Sequence, residues 1–243
     1  MRANIAIINA STVVDDATIA SWLPALQTQL DRDYAAHWTW GGSPAALQFV
    51  PKGAKPPAFA WWLAILDDSD VAGALGYHDL TPSGQPLGKV FAATDLHDGL
   101  SISVTLDHEL LEMLADADIA TCVQHGDILY AREICDPCER DEQGYEIDGV
   151  KLSDFVLPSW FDTTVSGPTP DGPFDFRGLI TQPRAILPGG YMLTMDLRGS
   201  TGWQQTTRSD ERLAYRQLAR VGSRRERRAR GRARWMRSRV ETC

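Results

Sequence analysis

The run TLDHELLEMLAD, residues 105–116, constrains the fold more than any other stretch of the chain. At 3.6 residues per turn, Leu106, Leu110, Leu111, Met113 and Leu114 fall on one broad side of a helix, and His108, Glu109, Glu112 and Asp116 fall together on the other. A helix with so wide an apolar side needs a sheet or further helices to cover it. Its polar side admits two readings: an acidic face in water, or one half of a metal site.

The metal reading rests on spacing. Ligands at i and i+4 reach one ion from one helix face, as His108 and Glu112 would, and a carboxylate beside the first ligand, Glu109, is placed to take a proton from an activated water. Glu112 stands where a second histidine would be usual. Zinc accepts carboxylate oxygen at nearly the distance it accepts imidazole nitrogen, although the exchange softens the preference for zinc over manganese, iron or calcium. A third ligand is available downstream in AREICDP, where Glu133 and, one step beyond, Asp136 follow the helix. Asp116 and Asp118 are nearer in sequence but aim past such an ion. Tyr130, Tyr145 and His125 are candidate donors to a developing oxyanion.

Around this helix the chain reads as an α+β body. ANIAIINAST predicts an opening strand, Asp15 or Asp16 a cap for the helix that follows, with Trp22, Leu23, Leu26 and Leu30 on one side and Pro24 in its first turns. ALQFVP, FAWWLAILDD, AGALGYHDL and KVFAATDL predict strands, with an exposed edge near GKVFAATD; DILYAREICD, the YEIDGVKLSDFVL pair and GGYMLTMDL predict strands after the helix. Residues 167–178, rich in Gly and Pro, read as a surface loop. His78 and His97 read as ordinary surface or hydrogen-bonded histidines, with lining a cleft or ligating an ion as the alternative, and Trp61, Trp62, Trp160 and Phe161 as core or groove walls.

A rival metal site lies in TCVQHGDILYAREICDPCE. Cys122, His125, Cys135 and Cys138 form a Cys-x-x-His and a Cys-x-x-Cys that two knuckles would bring to one structural zinc; a Cys135–Cys138 disulfide and plain thiols are the alternatives.

Charge divides the chain in two. The net charge is −8, but residues 208–243 hold 13 Arg and 4 acidic residues, a balance of +9 that leaves −17 on residues 1–207. The boundary therefore falls between an α+β domain, 1–207, and a basic tail, 208–243. Arginines at Arg212, Arg216, Arg220, Arg224 and Arg228 recur every four residues and suit an acidic neighbour, a second copy of the chain or nucleic acid, the last weakly since Tyr215 and Trp235 alone offer stacking groups. With no apolar run of membrane-spanning length and no secretory start, the chain reads as cytoplasmic when made, with no membrane role.

The segments GYHDLTPSGQPLGKVFAATD, VTLDHELLEMLADADI, AREICDPCE, YEIDGVKLSDFVLPSWFD and LPGGYMLTMD resemble a group of mostly uncharacterised bacterial and bacteriophage proteins with a His-Glu-x-x-Glu core, itself similar to zincin-like metallopeptidases. The resemblance spans roughly residues 75–205. It implies a zincin-like mixed sheet packed on the metal-site helix, one divalent ion, zinc for preference, on His108 and Glu112, Glu109 as base, and a peptide or protein substrate. It also implies two alternatives to an active peptidase: an inactive descendant, or a structural component of a phage particle whose basic tail anchors it to virion neighbours.

Overall fold

The structure, a computed structural model, describes residues 2–39, 42–70, 74–162 and 172–208. Ten of its elements run up to and include the motif helix. Strand β1 (Ala3–Asn9) leads to helix α1 (Asp16–Thr28), a π-helical turn (Gln29–Tyr34) and a short α2 (Ala35–Trp38); β2 (Ala45–Val50), β3 (Trp61–Leu66), β4 (Gly76–Leu80) and β5 (Pro86–Phe91) follow, then α3 (Ala92–His97) and α4 (Ile102–Ala115). Asp15 caps α1, its carboxylate accepting the Thr18 N–H at 2.7 Å. Pro24 lies in the interior of α1 rather than in its first turns. Burial of Ile19, Leu26, Leu30 and Tyr34 along α1 and the π-turn stabilises the segment despite the backbone hydrogen bond that a proline forgoes.

The strands form one mixed sheet in the order β2-β1-β3-β5-β4. β1, β2, β3 and β5 run parallel and β4 runs antiparallel to β5. KVFAATDL is therefore half strand and half helix, and it is not the edge: every residue of β5 is buried, and β4 folds back outside it to become the edge. Helix α4 packs across β3, β4 and β5 and also meets the later strand β9 (Val150–Leu152).

Helix α4 is buried on nearly every side. Leu106, Leu110, Leu111 and Met113 are wholly enclosed, but so are Asp107, Glu109 and Glu112. The polar side predicted to face either water or an ion does not face water. Asp107 is accounted for structurally: it accepts the Gln29 side-chain N–H at 2.8 Å and the Ser153 backbone N–H at 2.7 Å, and so ties the π-turn and the chain after β9 to the helix. Burial pushes its carboxyl up to about 7, partly offset by those two donors.

Beyond α4, β6 (Cys122–His125) and β7 (Ile128–Ala131) form a hairpin that joins β10 (Tyr191–Asp196) and β11 (Gln204–Thr207) in an antiparallel sheet ordered β11-β10-β7-β6. A smaller hairpin, β8 (Tyr145–Ile147) and β9 (Val150–Leu152), turns on Asp148 and Gly149, both at positive φ as a tight two-residue turn requires. A short α5 (Pro158–Phe161) sets Trp160 and Phe161 in the core, while Trp62 is exposed on the outer sheet face.

The stretch read as a surface loop departs from that reading at its far end. Phe174 and Asp175 are buried, and Asp175 forms a β-bridge with Val156. The Asp175 carboxylate accepts the Leu179 and Ile180 N–H groups at 2.9 and 2.8 Å, and Asp154 accepts those of Phe155 and Arg177 at 2.8 and 3.2 Å. Burial, then the neighbouring Asp175 carboxylate, push the Asp154 carboxyl up to about 9, so Asp154 keeps its proton through neutral pH. The groups facing it are Asp175, the buried Cys138 thiol and the backbone of Arg177, whose guanidinium turns away to the carbonyls of residues 142–144.

A raised folded-state pKa keeps a proton that the unfolded chain has released. Asp154 therefore contributes its full stability below the ordinary carboxylate range and loses it as pH rises toward about 9, by at most about 1.4 kcal/mol per pH unit. Urea denaturation at a series of pH values should show Asp154→Asn losing less stability than the wild type across this window; parallel curves would contradict the proton held on Asp154.

Candidate metal centre

Two glycines let the motif helix reach the sheet. On β4, Gly76 and His78 share the face beneath α4, and their partners across the ladder are Val90 and Gly88 of β5. A Cβ on Gly76 would lie 2.8 Å from both Cγ and Oε1 of Glu109 and 2.9 Å from the Lys89 carbonyl, and one on Gly88 would lie 2.4 Å from Leu63 Cδ1. The helix thus lays its Glu109 side chain directly on bare strand backbone.

The edge strand delivers His78 into the same layer. His78 is completely buried, and its Nδ1 lies 3.6 Å from both Glu109 Oε2 and Glu112 Oε2. Its Nε2 lies 3.6 Å from Glu133 Oε2. On the other side of Glu112, the His108 Nε2 is 3.5 Å from Glu112 Oε1 and 3.3 Å from Asp136 Oδ1. Glu133 and Asp136 come from the segment after β7, which crosses the helix so that the Cys135 N–H donates to Glu112 Oε1 at 3.2 Å. Four carboxylates and two imidazoles are collected in one buried layer. The His108 side chain, 12% exposed, is the most accessible of the six.

The distances fit an ion. Two donors each ~2.0–2.1 Å from a tetrahedral cation stand about 3.3–3.4 Å apart. The His108 Nε2 stands near that distance from both Glu112 and Asp136, the three donor atoms lie within 4.8 Å of one another, and one nitrogen with two carboxylate oxygens is a donor set that zinc, manganese and ferrous iron all accept. His78, Glu112 and Glu133 form a second group able to hold an ion.

Electrostatics also favour a cation here. The Glu112 oxygens lie within 4.8 Å of those of Glu133 and Asp136; two negative charges at that separation repel by about 3–4 kcal/mol at an effective dielectric constant of ~20. Two such pairs approach the whole stability of an ordinary domain, roughly 5–15 kcal/mol. In the field of the protein groups alone, the cluster answers by holding protons. Burial would lower the His108 pKa, but the Glu112 charge and hydrogen bonds to Asp136 and Glu112 raise it well above the imidazole range. Burial and the Glu112 charge push Asp136 up, while the two imidazoles and the Cys135 N–H, against burial, hold Glu112 down. A metal ion would compete for these positions with protons.

One side chain missing from the sequence reading stands beside the centre. Burial and the charges of Asp136 and Glu139 hold the Tyr191 phenol well above its ordinary pKa. It reaches there because Gly190 lets β10 approach: a Cβ at Gly190 would lie 2.5 Å from the Pro137 carbonyl oxygen. The candidates named from sequence sit elsewhere. The Tyr145 hydroxyl donates to Asp33 at 2.9 Å, Tyr130 packs edge-on against Trp160, and His125 is exposed at the hairpin tip.

The cysteine quartet is not brought together. Cys122 and His125, three apart on β6, project to opposite faces of the hairpin, opposite Ala131 and Ile128, while Cys135 and Cys138 are buried in the core. All three described cysteines are free thiols, and no cysteine belongs to a potential metal group among the described residues. Asp116 instead accepts the Ala120 and Thr121 N–H groups at 3.0 and 2.9 Å, and Asp118 and His97 are exposed. Arg212, Arg216, Arg220, Arg224 and Arg228 lie outside the described residues.

Comparison with family models, with curated proteins and with solved structures finds no match to this chain. Among the described residues no helix is long and apolar enough to cross a membrane.

The glycine floor yields a test. Gly76→Ala places a methyl against Glu109 and the Lys89 carbonyl, and it should cost roughly 1–3 kcal/mol in chemical denaturation and weaken binding of zinc in calorimetry. Unchanged stability and zinc affinity would show that the helix does not depend on this close approach.

Proposed function

We propose that the protein is a zincin-like metal-dependent hydrolase acting on peptide bonds, with His108, Glu112 and Asp136 as the ligands of a divalent ion, zinc for preference. The observation that carries this reading is the convergence of Glu112 and Asp136 oxygens on a single nitrogen, His108 Nε2, at 3.5 and 3.3 Å. That arrangement suits one ion on the more accessible side of a buried carboxylate layer. An ion bound there supplies a Lewis acid that lowers the pKa of a water from about 16 toward about 7.

The chain's own groups supply the remainder. Glu109, sharing His78 Nδ1 with Glu112, lies beside the ligand set rather than on an outer face, and it serves as the base that takes a proton from the attacking water. The same carboxylic acid then returns the proton to the departing amine. Tyr191, kept protonated by burial and by the Asp136 charge, is the donor for the oxyanion that develops on the carbonyl. His78 holds the Glu109 and Glu112 carboxylates in place from the edge strand.

Replacing Glu109 by Gln keeps the shape and removes the base. Peptide-library cleavage followed by mass spectrometry should fall at least about 100-fold while the bound zinc is unchanged. A Glu109→Gln variant that cleaves like the wild type would contradict the hydrolase reading, as would a wild type that cleaves nothing with its zinc in place.

A further inference from the structure

The two oxygens of Glu112 face different histidines. Oε1 is 3.5 Å from His108 Nε2, and Oε2 is 3.6 Å from His78 Nδ1. Each histidine has a further carboxylate of its own, Asp136 at 3.3 Å from His108 and Glu133 at 3.6 Å from His78. The cluster is thus two half-sites, each with one imidazole and one private carboxylate, joined by a carboxylate common to both; at His108 both carboxylates meet Nε2, and at His78 Glu112 meets Nδ1 while Glu133 meets Nε2.

We propose that this layer holds two divalent cations bridged by Glu112, the first on His108 and Asp136 and the second on His78 and Glu133. The inference rests on the assignment of His108, Glu112 and Asp136 as ion ligands and adds a second site to it. A carboxylate offering one oxygen to each of two ions is the usual join in two-metal centres, whose ions stand about 3.5–4 Å apart.

Charge supports two ions rather than one. With neutral imidazoles, Glu109, Glu112, Glu133 and Asp136 carry −4 when ionised; one divalent ion leaves −2, and two bring the layer to neutrality. Uncompensated charge at this depth is costly, since all four carboxylate side chains are at least nine-tenths buried.

The His78 ring suits a ligand. It has carboxylates at both nitrogens, so one nitrogen can take the ion while the other, as N–H, faces a carboxylate that fixes ring and tautomer. The two halves differ in access. His78 is wholly enclosed whereas His108 is partly open, which assigns the inner ion to holding Glu112 and Glu133 and the outer one to the substrate side. The donor set, oxygen-rich with one nitrogen per ion, selects zinc, manganese or ferrous iron rather than softer ions.

The experiment is metal stoichiometry by elemental mass spectrometry after reconstitution of the full chain with zinc or manganese alone. Two equivalents are expected for the wild type, and one for each of His78→Ala, Glu133→Gln and Asp136→Asn. Since a change at buried His78 can unfold the chain, electron paramagnetic resonance of the manganese-loaded wild type provides an independent reading: the expected spectrum is that of an exchange-coupled pair. A single equivalent with an isolated-ion spectrum, lost in Asp136→Asn and kept in Glu133→Gln, would overturn the second site and leave the first. No bound metal at all would overturn both.

Discussion

Everything near the centre of this molecule depends on how the Glu112 carboxylate is compensated. It sits in the middle of α4, buried, with an imidazole beyond each oxygen and a backbone N–H at one of them. A single buried carboxylate so supported is ordinary; one flanked by Glu109, Glu133 and Asp136 in the same layer is not, because like charges at these separations repel by several kcal/mol. The layer must gain positive charge, as protons or as metal ions, for the helix to be stable where it lies. The architecture follows from that requirement: an edge strand contributes His78, the helix contributes His108, and the segment after β7 contributes two acids.

The backbone is shaped to allow this closeness. Gly76 and Gly88 clear the sheet beneath Glu109, and Gly190 brings β10 against the Asp136 turn so that Tyr191 arrives at the same place. Elsewhere on α4, Asp107 ties the helix to Gln29 and Ser153, and Asp175, beside Asp154, bridges Val156 and so fastens the segment around Phe174 to the chain that follows β9. Polar groups are therefore buried on several faces of one helix, each with a distinct form of compensation.

Sequence made part of this legible. The i, i+4 spacing of His108 and Glu112 was readable because helical periodicity places both on one face, whereas Glu133 and Asp136 were readable only as acids available downstream, and the crossing of the segment after β7 brings them to the helix. His78 was not, since a lone histidine in a strand has no local partner, and only the antiparallel return of β4 outside β5 brings it under α4. The same crossover misled the reading of the edge: β5 and β4 are both short apolar runs, and strand order is a tertiary fact. Tyr191 was hidden for a similar reason, lying some eighty positions beyond α4. The Cys-x-x-His spacing misled in the opposite direction, because it suits a knuckle but not the flat hairpin that forms. Asp175 looked like loop by composition and is buried by pairing with Asp154, a partner that local pattern cannot reveal.

The central claim is that the buried carboxylate layer is a divalent-cation site that the fold uses. The most direct measurement is thermal unfolding of the full chain, stripped with chelator, as zinc or manganese is added back. A ligand that binds only the folded state stabilises it by about 2.7 kcal/mol at one hundred times its Kd, so Tm should climb by several degrees and continue to rise with ion concentration beyond saturation, with Glu112→Ala losing the response. A Tm indifferent to both chelator and added ion would mean that the layer is compensated by protons alone, and would contradict the account.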